Sequence, residues 1–239
     1  MSLLEVDGIT KNFGGLAAVS RVDLQVEAGT VIGLIGPNGA GKTTLFNLLS
    51  GALKPNSGTI RFQDADITGL KPHQICRKGL SRTFQSVKVF GALPASQNVL
   101  AGAIFGSSGR ISPRQAGAEV ARLMEFVGLS AVGDVPARDL TLANQKRLEV
   151  ARALATKPDL LLIDELMAGL NPTEVAQAMD LVAAIRQQGT TVLIIEHVMK
   201  AIMSICDRIA VLHHGEKIAE GPPQEIATSR TVIEVYLGE

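Results

Sequence analysis

Short apolar segments separated by turn residues occupy the first 62 residues of the chain. Glycine- and proline-containing turns divide these segments, which is the pattern of β-strands. A helix, from residue 42 to about residue 49, interrupts them. The predicted strands are residues 3–10, 22–26, 31–35 and 59–62.

A helical period replaces this pattern between residues 94 and 128. Val120, Leu123, Met124 and Val127 recur at positions i, i+3, i+4 and i+7, and charged residues lie between them. This spacing places the apolar side chains on one face of a helix. The pattern predicts a helical lobe that is inserted into the rest of the chain.

Strands and helices alternate in the remaining part of the sequence. The predicted strands are residues 160–163, 191–195 and 208–212, the predicted helices are residues 172–188 and 198–206, and two short amphipathic helices are predicted in residues 222–237. Such alternation is typical of βαβ units with a largely parallel sheet and helices on both faces. The sequence therefore predicts an α/β fold.

Length and charge limit the classes of protein that this chain can belong to. With 239 residues and 46% hydrophobic content, it can form one large domain or a domain with a small subdomain. Its 23 basic residues balance 23 acidic residues, so no overall field attracts nucleic acid, and we expect no nucleic-acid partner. No apolar segment approaches the roughly 18 residues that a membrane span needs, and we expect a protein that is neither secreted nor integral to the membrane.

The cysteines and the adjacent histidines lack the spacing of a metal site. Cys76 and Cys206 are isolated, which indicates reduced cytosolic thiols. His213 and His214 precede Gly215 at a point where two β-type segments meet. We therefore predict a hairpin turn there, in preference to a metal site.

A glycine-rich sequence follows the predicted strand 31–35 and matches the phosphate-binding pattern Gly-x-x-x-x-Gly-Lys-[Ser/Thr]. Its backbone N–H groups can surround phosphates, and the following helix adds a positive N-terminal dipole. We expect Lys42 to reach the β- and γ-phosphates, Thr43 to place its hydroxyl on Mg²⁺, and Thr44 to help hold the α- and β-phosphates. The predicted triphosphate site comprises Gly36, Pro37, Asn38, Gly39, Ala40, Gly41, Lys42, Thr43 and Thr44.

Two consecutive carboxylates end the apolar strand that is predicted at residues 160–163. Asp164 and Glu165 would point in different directions, because side chains alternate along a strand. Asp164 can then lie near Mg²⁺, while Glu165 faces the γ-phosphate and an attacking water. Two acids at this position can also be solvated or can cap a helix, but a phosphate loop in the same chain favours the nucleotide site.

With these motifs in this order, the chain resembles the ATP-binding subunits of ATP-binding-cassette (ABC) transporters over essentially its whole length. The resemblance implies a P-loop nucleotide-binding cassette that binds ATP and Mg²⁺ and hydrolyses ATP. It also implies a mainly parallel sheet core, an N-terminal antiparallel β subdomain and an inserted α-helical subdomain. One domain would span residues 1–239, with the core and β subdomain in residues 1–85 and 157–239 and the helical subdomain in residues 86–156.

The resemblance also implies roles for residues whose function the sequence alone does not indicate. Phe13 matches the aromatic residue that stacks on adenine, although a lone Phe is more often part of a core. Gln85 matches the glutamine that contacts Mg²⁺ and water, and His197 matches the histidine that contacts the γ-phosphate. The implied catalytic residues are Glu165, His197, Gln85 and Lys42, and the implied metal ligands are Thr43, Gln85 and Asp164.

The signature segment of the family, usually Leu-Ser-Gly-Gly-Gln, corresponds here to Leu140, Thr141, Leu142, Ala143 and Asn144. The resemblance implies that this segment completes the ATP site of a second subunit. Thr141 keeps a hydroxyl, but Leu142 and Ala143 replace glycines. These differences from the family sequence would therefore affect the ATP site of the partner and not this chain's own site. The chain also has Leu166 where proline is common and Asn171 where aspartate is usual.

Several segments are similar to the branch of the family that takes up branched-chain (hydrophobic) amino acids, among them residues 13–16, 79–85, 167–172 and 236–239. This similarity implies a second, different ATP-binding subunit, two transmembrane permease subunits and, indirectly, a substrate-binding protein. It implies a location on the cytoplasmic face of the plasma (inner) membrane. It also implies that the transported solute does not contact this subunit, so the sequence does not identify the solute.

Three other classes of protein are alternatives. A homodimeric ATPase of a lipid or lipopolysaccharide exporter differs in the number of ATPase types per complex. A soluble P-loop kinase would need a basic lid, and residues 106–114 contain only two arginines. A cassette ATPase acting on DNA or ribosomes would need a basic patch or further segments.

The segment after Gln85, residues 86–99, is expected to form a surface groove for a cytoplasmic helix of the membrane subunit. Val87, Val89, Phe90 and Leu93 are the predicted apolar lining. The alternative is that these four side chains belong to the core.

Overall fold

The structure is a computed structural model that describes residues 2–106 and 111–237. Parts of the segments at 106–114 and 236–239 discussed above lie outside the described residues. The strands are β1 (Ser2–Phe13), β2 (Leu16–Glu27), β3 (Val31–Ile35), β4 (Ser57–Phe62), β5 (Ala65–Asp66), β6 (Leu80–Arg82), β7 (Leu160–Asp164), β8 (Thr191–Ile195), β9 (Arg208–His213) and β10 (Glu216–Gly221). The α-helices are α1 (Lys42–Leu49), α2 (Pro72–Arg77), α3 (Ala95–Gly106), α4 (Pro113–Phe126), α5 (Leu142–Leu154), α6 (Pro172–Gln187), α7 (Met199–Ile205), α8 (Pro223–Thr228) and α9 (Arg230–Leu237).

The larger sheet has the strand order β10-β9-β3-β8-β7-β6. Strands β9, β3, β8, β7 and β6 are parallel to one another, and β10 is antiparallel to β9. Every residue of β3, β7 and β8 is buried, because helices or the second sheet cover both faces. The predicted α/β fold with a mainly parallel core is confirmed.

The smaller sheet has the order β2-β1-β4-β5, and its pairs are antiparallel. Strands β1 and β2 form a long hairpin whose turn contains Gly14, with a φ of 58°. Helix α1 lies between the two sheets, where Leu45, Phe46, Leu48 and Leu49 join one core cluster with residues of both. The antiparallel β subdomain is therefore confirmed.

Helices α3, α4 and α5 form the helical part of the chain. Ser112 caps α4 by accepting a hydrogen bond from the backbone of Gln115, and Pro113 is the first helical residue. Leu123, Met124 and Val127 are buried in the same cluster as Leu148 of α5, as their spacing indicates. The inserted helical lobe is confirmed, whereas its proposed boundaries, residues 86–156, stay a prediction.

The C-terminal part follows the predicted order. Strand β9 ends at His213 and β10 begins at Glu216, so His214 and Gly215, both with positive φ, form the turn of a hairpin. The hairpin prediction is confirmed, and α8 and α9 are the two expected short helices. None of the helices in residues 2–106 and 111–237 combines the length and the apolar character that crossing a membrane requires.

Candidate nucleotide site

The glycine-rich loop joins the end of β3 to the start of α1, as its sequence predicts. Gly36 has a φ of 146° and Gly41 a φ of 101°, which L-residues with side chains rarely adopt. A Cβ atom on Gly36 would lie 2.1 Å from the carbonyl oxygen of Leu212, and one on Gly41 would lie 2.4 Å from that of Ala18. The glycines are therefore required both by the backbone conformation and by close packing.

The β9–β10 hairpin supports this loop from behind. The backbone N–H of Gly215 donates to the carbonyl oxygen of Ala40 at 3.1 Å, and the N–H of Ser20 donates to the carbonyl oxygen of Gly215 at 2.8 Å. Strand β2, the hairpin and the loop are thus joined by backbone hydrogen bonds. Such a loop binds phosphates with little rearrangement, because its N–H groups are already held in place.

Lys42, the first residue of α1, lies inside the loop. Its Nζ donates to the carbonyl oxygens of Gly36 at 2.6 Å and Pro37 at 2.9 Å. Burial lowers the pKa of Lys42, while Glu165 and Asp164 raise it. The loop consequently holds an ammonium group where a triphosphate would pass.

Asp164 ends β7 and pairs with a buried arginine that the sequence analysis did not assign. An Nη atom of Arg82 donates to Oδ2 of Asp164 at 2.7 Å. Burial raises the pKa of Asp164, and the hydrogen bond from Arg82 opposes this shift. The other carboxylate oxygen, Oδ1, is buried and has no hydrogen-bond partner within the described part of the chain. A buried, unpaired carboxylate oxygen is a suitable ligand for Mg²⁺.

The side chains of Asp164 and Glu165 point in different directions, but strand alternation is not the cause. Strand β7 ends at Asp164, and Glu165 has a φ of 54°, so a left-handed turn separates the two carboxylates. The explanation by strand alternation is therefore wrong. Nε2 of Gln85 donates to one carboxylate oxygen of Glu165 at 3.1 Å, and Nε2 of His197 donates to the other at 2.9 Å.

A cavity of about 190 Å³ lies between the loop and these side chains. It brings together most of the predicted site from segments that are distant in sequence. Its lining residues are Ala18, Asn38, Gly39, Ala40, Gly41, Lys42, Thr43, Thr44, Gln85, Glu165 and His197. Phe13 does not line this cavity; the residue is 49% exposed, and the centroid of its ring lies 5.4 Å from the Nζ of Lys11. An exposed aromatic side chain can stack on adenine, and this role of Phe13 stays a prediction.

Arg82, Thr83 and Ala18 are site residues that the sequence analysis missed. Strand β6, which ends at Arg82, pairs in parallel with β7, and the hydroxyl of Thr83 accepts from the N–H of Asp164 at 3.1 Å. The carboxyl ends of neighbouring parallel strands meet at one edge of a sheet. Assigning residues 80–82 as a strand would have placed Arg82 beside Asp164.

The signature segment lies at the start of α5, outside the cavity described above. Thr141 caps the helix by accepting from the N–H of Asn144 at 3.3 Å. Leu140 and Ala143 are buried, whereas Leu142 is 46% exposed. Thr141 and Leu142 are therefore available to another molecule.

The two other departures from the family pattern have local structural roles. Leu166 is buried in the core. Asn171 caps α6, where its side chain accepts from the N–H of Glu174 at 3.0 Å and the carboxylate of Glu174 accepts from the N–H of Asn171. An asparagine performs this capping as well as an aspartate does.

A larger cleft of about 380 Å³ lies between α2, β6 and α3. Phe84, Phe90 and Phe105 line it, and of the four predicted groove residues it includes Phe90 alone. Val89 packs against the core, and Val87 and Leu93 do not reach the cleft. Of the predicted lining, this cleft therefore contains Phe90 alone, and the groove for a membrane-subunit helix stays a prediction.

The fold and the site together define a P-loop nucleotide-binding protein. Residues 19–168 match the family model described as "ABC transporter", and residues 216–239 match the model "Branched-chain amino acid ATP-binding cassette transporter". The chain belongs to the ABC transporter family and is one of its ATP-binding cassette ATPases. Membership of this family excludes the alternative that the chain is a soluble P-loop kinase.

Relatives match over their full length. The chain is 43% identical to the high-affinity branched-chain amino acid transport ATP-binding protein BraF of Pseudomonas aeruginosa, covering 99% of this chain and 98% of that protein. It is 41% identical to LivG of Escherichia coli, with the same coverage. It is also 37% identical to the lipopolysaccharide export system ATP-binding protein LptB of Acidithiobacillus ferridurans, covering 99% and 97%. The crystal structure of a nucleotide-free ATP-binding cassette from an ABC transporter superimposes with a TM-score of 0.89, at 31% identity and 100% coverage of both chains.

Proposed function

We propose that this chain is the ATP-hydrolysing subunit of an importer for branched-chain amino acids or a related small solute. The observation that carries the proposal is the 43% identity to BraF over 99% of this chain. The match of residues 216–239 to a model of the same branch supports it independently of the nucleotide motifs. The geometry of the site supports ATP hydrolysis as the chemical step.

Binding of ATP would use the loop and the residues that face it. The loop amides hold the phosphates, and the ammonium of Lys42 exchanges its two carbonyl partners for the β- and γ-phosphates. Phe13 stacks on adenine. Thr43, Gln85 and Asp164 would hold Mg²⁺, which neutralises phosphate charge when bound.

Hydrolysis would depend on Glu165. Its carboxylate accepts a proton from the attacking water, and it is held from two sides by Gln85 and His197 at 3.1 and 2.9 Å. These two side chains restrict the rotation of the carboxylate, so the base is oriented before the water arrives. His197, which lines the same cavity, would also contact the γ-phosphate.

Full activity would require a second ATP-binding subunit, because Thr141 and Leu142 are exposed and do not line the chain's own cavity. In this arrangement Leu140 to Asn144 contact ATP that the partner holds, and the partner returns the equivalent segment. Leu142 stands where the family has glycine, which favours a different chain over a second copy as the partner. ATP then closes the pair, and hydrolysis opens it.

Two permease subunits would receive this movement in the cleft that Phe84, Phe90 and Phe105 line. Phe84 precedes Gln85, so a membrane-subunit helix in the cleft would lie one residue from the catalytic site. A substrate-binding protein would deliver the solute from the other side. In this arrangement the chain would lie on the cytoplasmic face of the plasma (inner) membrane.

The test is uptake of labelled leucine, isoleucine and valine by the reconstituted complex in vesicles that contain ATP. Glu165→Gln should lower hydrolysis at this chain's own site by on the order of a hundredfold, because the base is lost, so ATP hydrolysis and uptake by the complex should fall to the level that the partner's site supports. Glu125→Gln, the same change at an exposed residue of α4, is the matched control. Hydrolysis by Glu165→Gln at the rate of the unaltered complex would refute the assignment of Glu165.

A lipopolysaccharide exporter ATPase is the second candidate, and the 37% identity to LptB favours keeping it. An exporter of this kind requires two copies of this chain per complex, whereas the proposed importer requires two different ATPases. Native mass spectrometry of the intact complex measures this stoichiometry. One ATPase type per complex would overturn the proposed importer.

A further inference from the structure

Helix α5 carries two charged side chains that are almost completely buried. Lys146 is 6% exposed and Glu149 is 3% exposed, and they lie about one helical turn apart. Charged side chains are seldom buried to this extent unless specific partners compensate the loss of water. Apart from Arg152 of α5 itself, the groups that they contact by hydrogen bonds lie in the segments of Glu165 and Gln85.

Lys146 holds the loop of the catalytic base. Its Nζ donates to the backbone carbonyl oxygen of Glu165 at 2.6 Å. Glu165 is the residue with the left-handed backbone conformation, and this carbonyl fixes the orientation of the peptide that follows it. Burial lowers the pKa of Lys146, and the carboxylates of Glu196, Glu165 and Glu149 raise it.

Glu149 holds the segment that contains Gln85. Its carboxylate accepts from the N–H of Phe84 at 3.3 Å and from the N–H of Lys88 at 3.0 Å, so the two donors lie on either side of Gln85. Arg152, one turn further along α5, pairs with the same carboxylate at 3.4 Å. The position of Gln85 is therefore linked to α5 at two points.

The same helix begins at the signature segment, where Thr141 is its N-cap. We propose that Lys146 and Glu149 are positioning residues that link the signature segment to the chain's own Glu165 and Gln85. A helix is stiff over this distance, so a movement of α5 when the signature segment engages ATP shifts both catalytic segments. This inference rests on the proposed ATP hydrolysis in a two-cassette complex.

The link would make hydrolysis in one site depend on the occupation of the other. Lys146 acts through the carbonyl of Glu165 and touches no phosphate, so its loss affects the alignment of the base and leaves nucleotide binding intact. Displacement of a catalytic group by about 1 Å costs up to roughly a hundredfold in rate. A split between kcat and KM is therefore the expected signature.

The experiment measures ATPase kinetics of an assembled complex in which the catalytic glutamate of the partner subunit is replaced by glutamine, so that the rate reports this chain's site. The variant is Lys146→Met, which keeps the apolar stem of the side chain and removes the donor. We expect kcat to fall by roughly tenfold to a hundredfold, while KM for ATP changes less than about twofold. Lys146→Arg keeps a donor and should restore most of kcat. Lys200→Met, at an exposed lysine of α7, is the matched control.

Glu149→Gln tests the second contact. The amide oxygen still accepts from one backbone N–H, but the charge opposite Arg152 is lost, so kcat should fall by about threefold to tenfold with KM unchanged. Glu125→Gln is again the control. A melting temperature within a few degrees of the unaltered protein should accompany both changes.

Three outcomes overturn the inference. One is a kcat for Lys146→Met equal to that of Lys200→Met, and another is a parallel loss of ATP binding and thermal stability, which indicates general unfolding. The third is failure of Lys146→Arg to recover any activity. If the unaltered complex did not hydrolyse ATP, the proposed function itself would be refuted. Normal hydrolysis by the unaltered complex together with any of the three outcomes would refute only the positioning role of Lys146 and Glu149.

Discussion

The phosphate loop and the signature segment differ in where their constraints come from. The loop, residues 36–43, is held by contacts within this chain, including the approach of Gly36 to Leu212 and the hydrogen bond from Gly215 to Ala40. The signature segment, residues 140–144, has a helix cap and two exposed side chains. A motif that is fixed within its own chain keeps its family sequence, whereas one that faces a partner is free to change together with that partner.

The largest effect is expected at Gly36, where the internal constraint is strongest. Gly36→Ala places a Cβ against the carbonyl of Leu212 and should lower the free energy of unfolding by about 3–5 kcal/mol and abolish ATP binding. Gly39 also has a positive φ but nothing within 4 Å of a Cβ, so Gly39→Ala should cost only about 1 kcal/mol. Urea denaturation and nucleotide titration measure both. Equal destabilisation by the two changes would show that packing around Gly36 is irrelevant.

The next effect concerns the buried pair of Arg82 and Asp164. Arg82→Met leaves the carboxylate of Asp164 buried without its partner and should cost about 3 kcal/mol in the free energy of unfolding. Arg138 pairs with Asp139 at 3.8 Å on the surface, so Arg138→Met should change stability by less than about 0.5 kcal/mol. Urea denaturation at neutral pH gives both values. A similar loss for the two variants would contradict the importance of burial.

The sequence predicted the parts of the molecule that depend on local pattern. The apolar segments predicted the buried strands β3, β7 and β8, and the glycine spacing predicted the phosphate loop, because these follow from neighbouring residues alone. The Arg82–Asp164 pair and the contacts of Lys146 and Glu149 join residues far apart in sequence, and no period encodes them. The left-handed backbone of Glu165 and the cleft at Phe84 and Phe105 likewise arise only when distant elements pack together.

A pH-dependent effect on stability should follow from Glu196, a buried residue that directly follows β8. Burial raises the pKa of Glu196 from 4.5 to about 7, although the N–H of Met167 donates to its carboxylate at 2.6 Å. Because the folded pKa exceeds the unfolded one, this group's contribution to stability is complete below pH 4.5 and is lost as the pH rises through 7. Unfolding free energies should therefore fall by about 2 kcal/mol more for the unaltered protein than for Glu196→Gln between pH 5 and pH 8. Glu125→Gln should retain the pH dependence of the unaltered protein, and a pH profile that Glu196→Gln leaves unchanged would exclude this residue as its source.

The smallest effect on this chain, and the sharpest test of the comparison, is expected at Leu142. Leu142→Gly restores the family residue on an exposed position, so the free energy of unfolding should change by less than about 1 kcal/mol and the chain's own ATP affinity should not change. In a complex whose own site is silenced by Glu165→Gln, the remaining hydrolysis reports the partner's site. Leu142→Gly should increase this remaining rate severalfold, because a glycine backbone can approach the partner's phosphates more closely.

Ile233→Gly, at an exposed apolar residue of α9 outside the signature segment, is the control and should leave the remaining rate unchanged. If Leu142→Gly also left it unchanged, the exposed leucine would not limit the partner's site. If instead it weakened ATP binding by this chain alone, the signature segment would be constrained from within like the phosphate loop. The contrast between the two regions therefore depends on Leu142 affecting the other subunit's site and not its own.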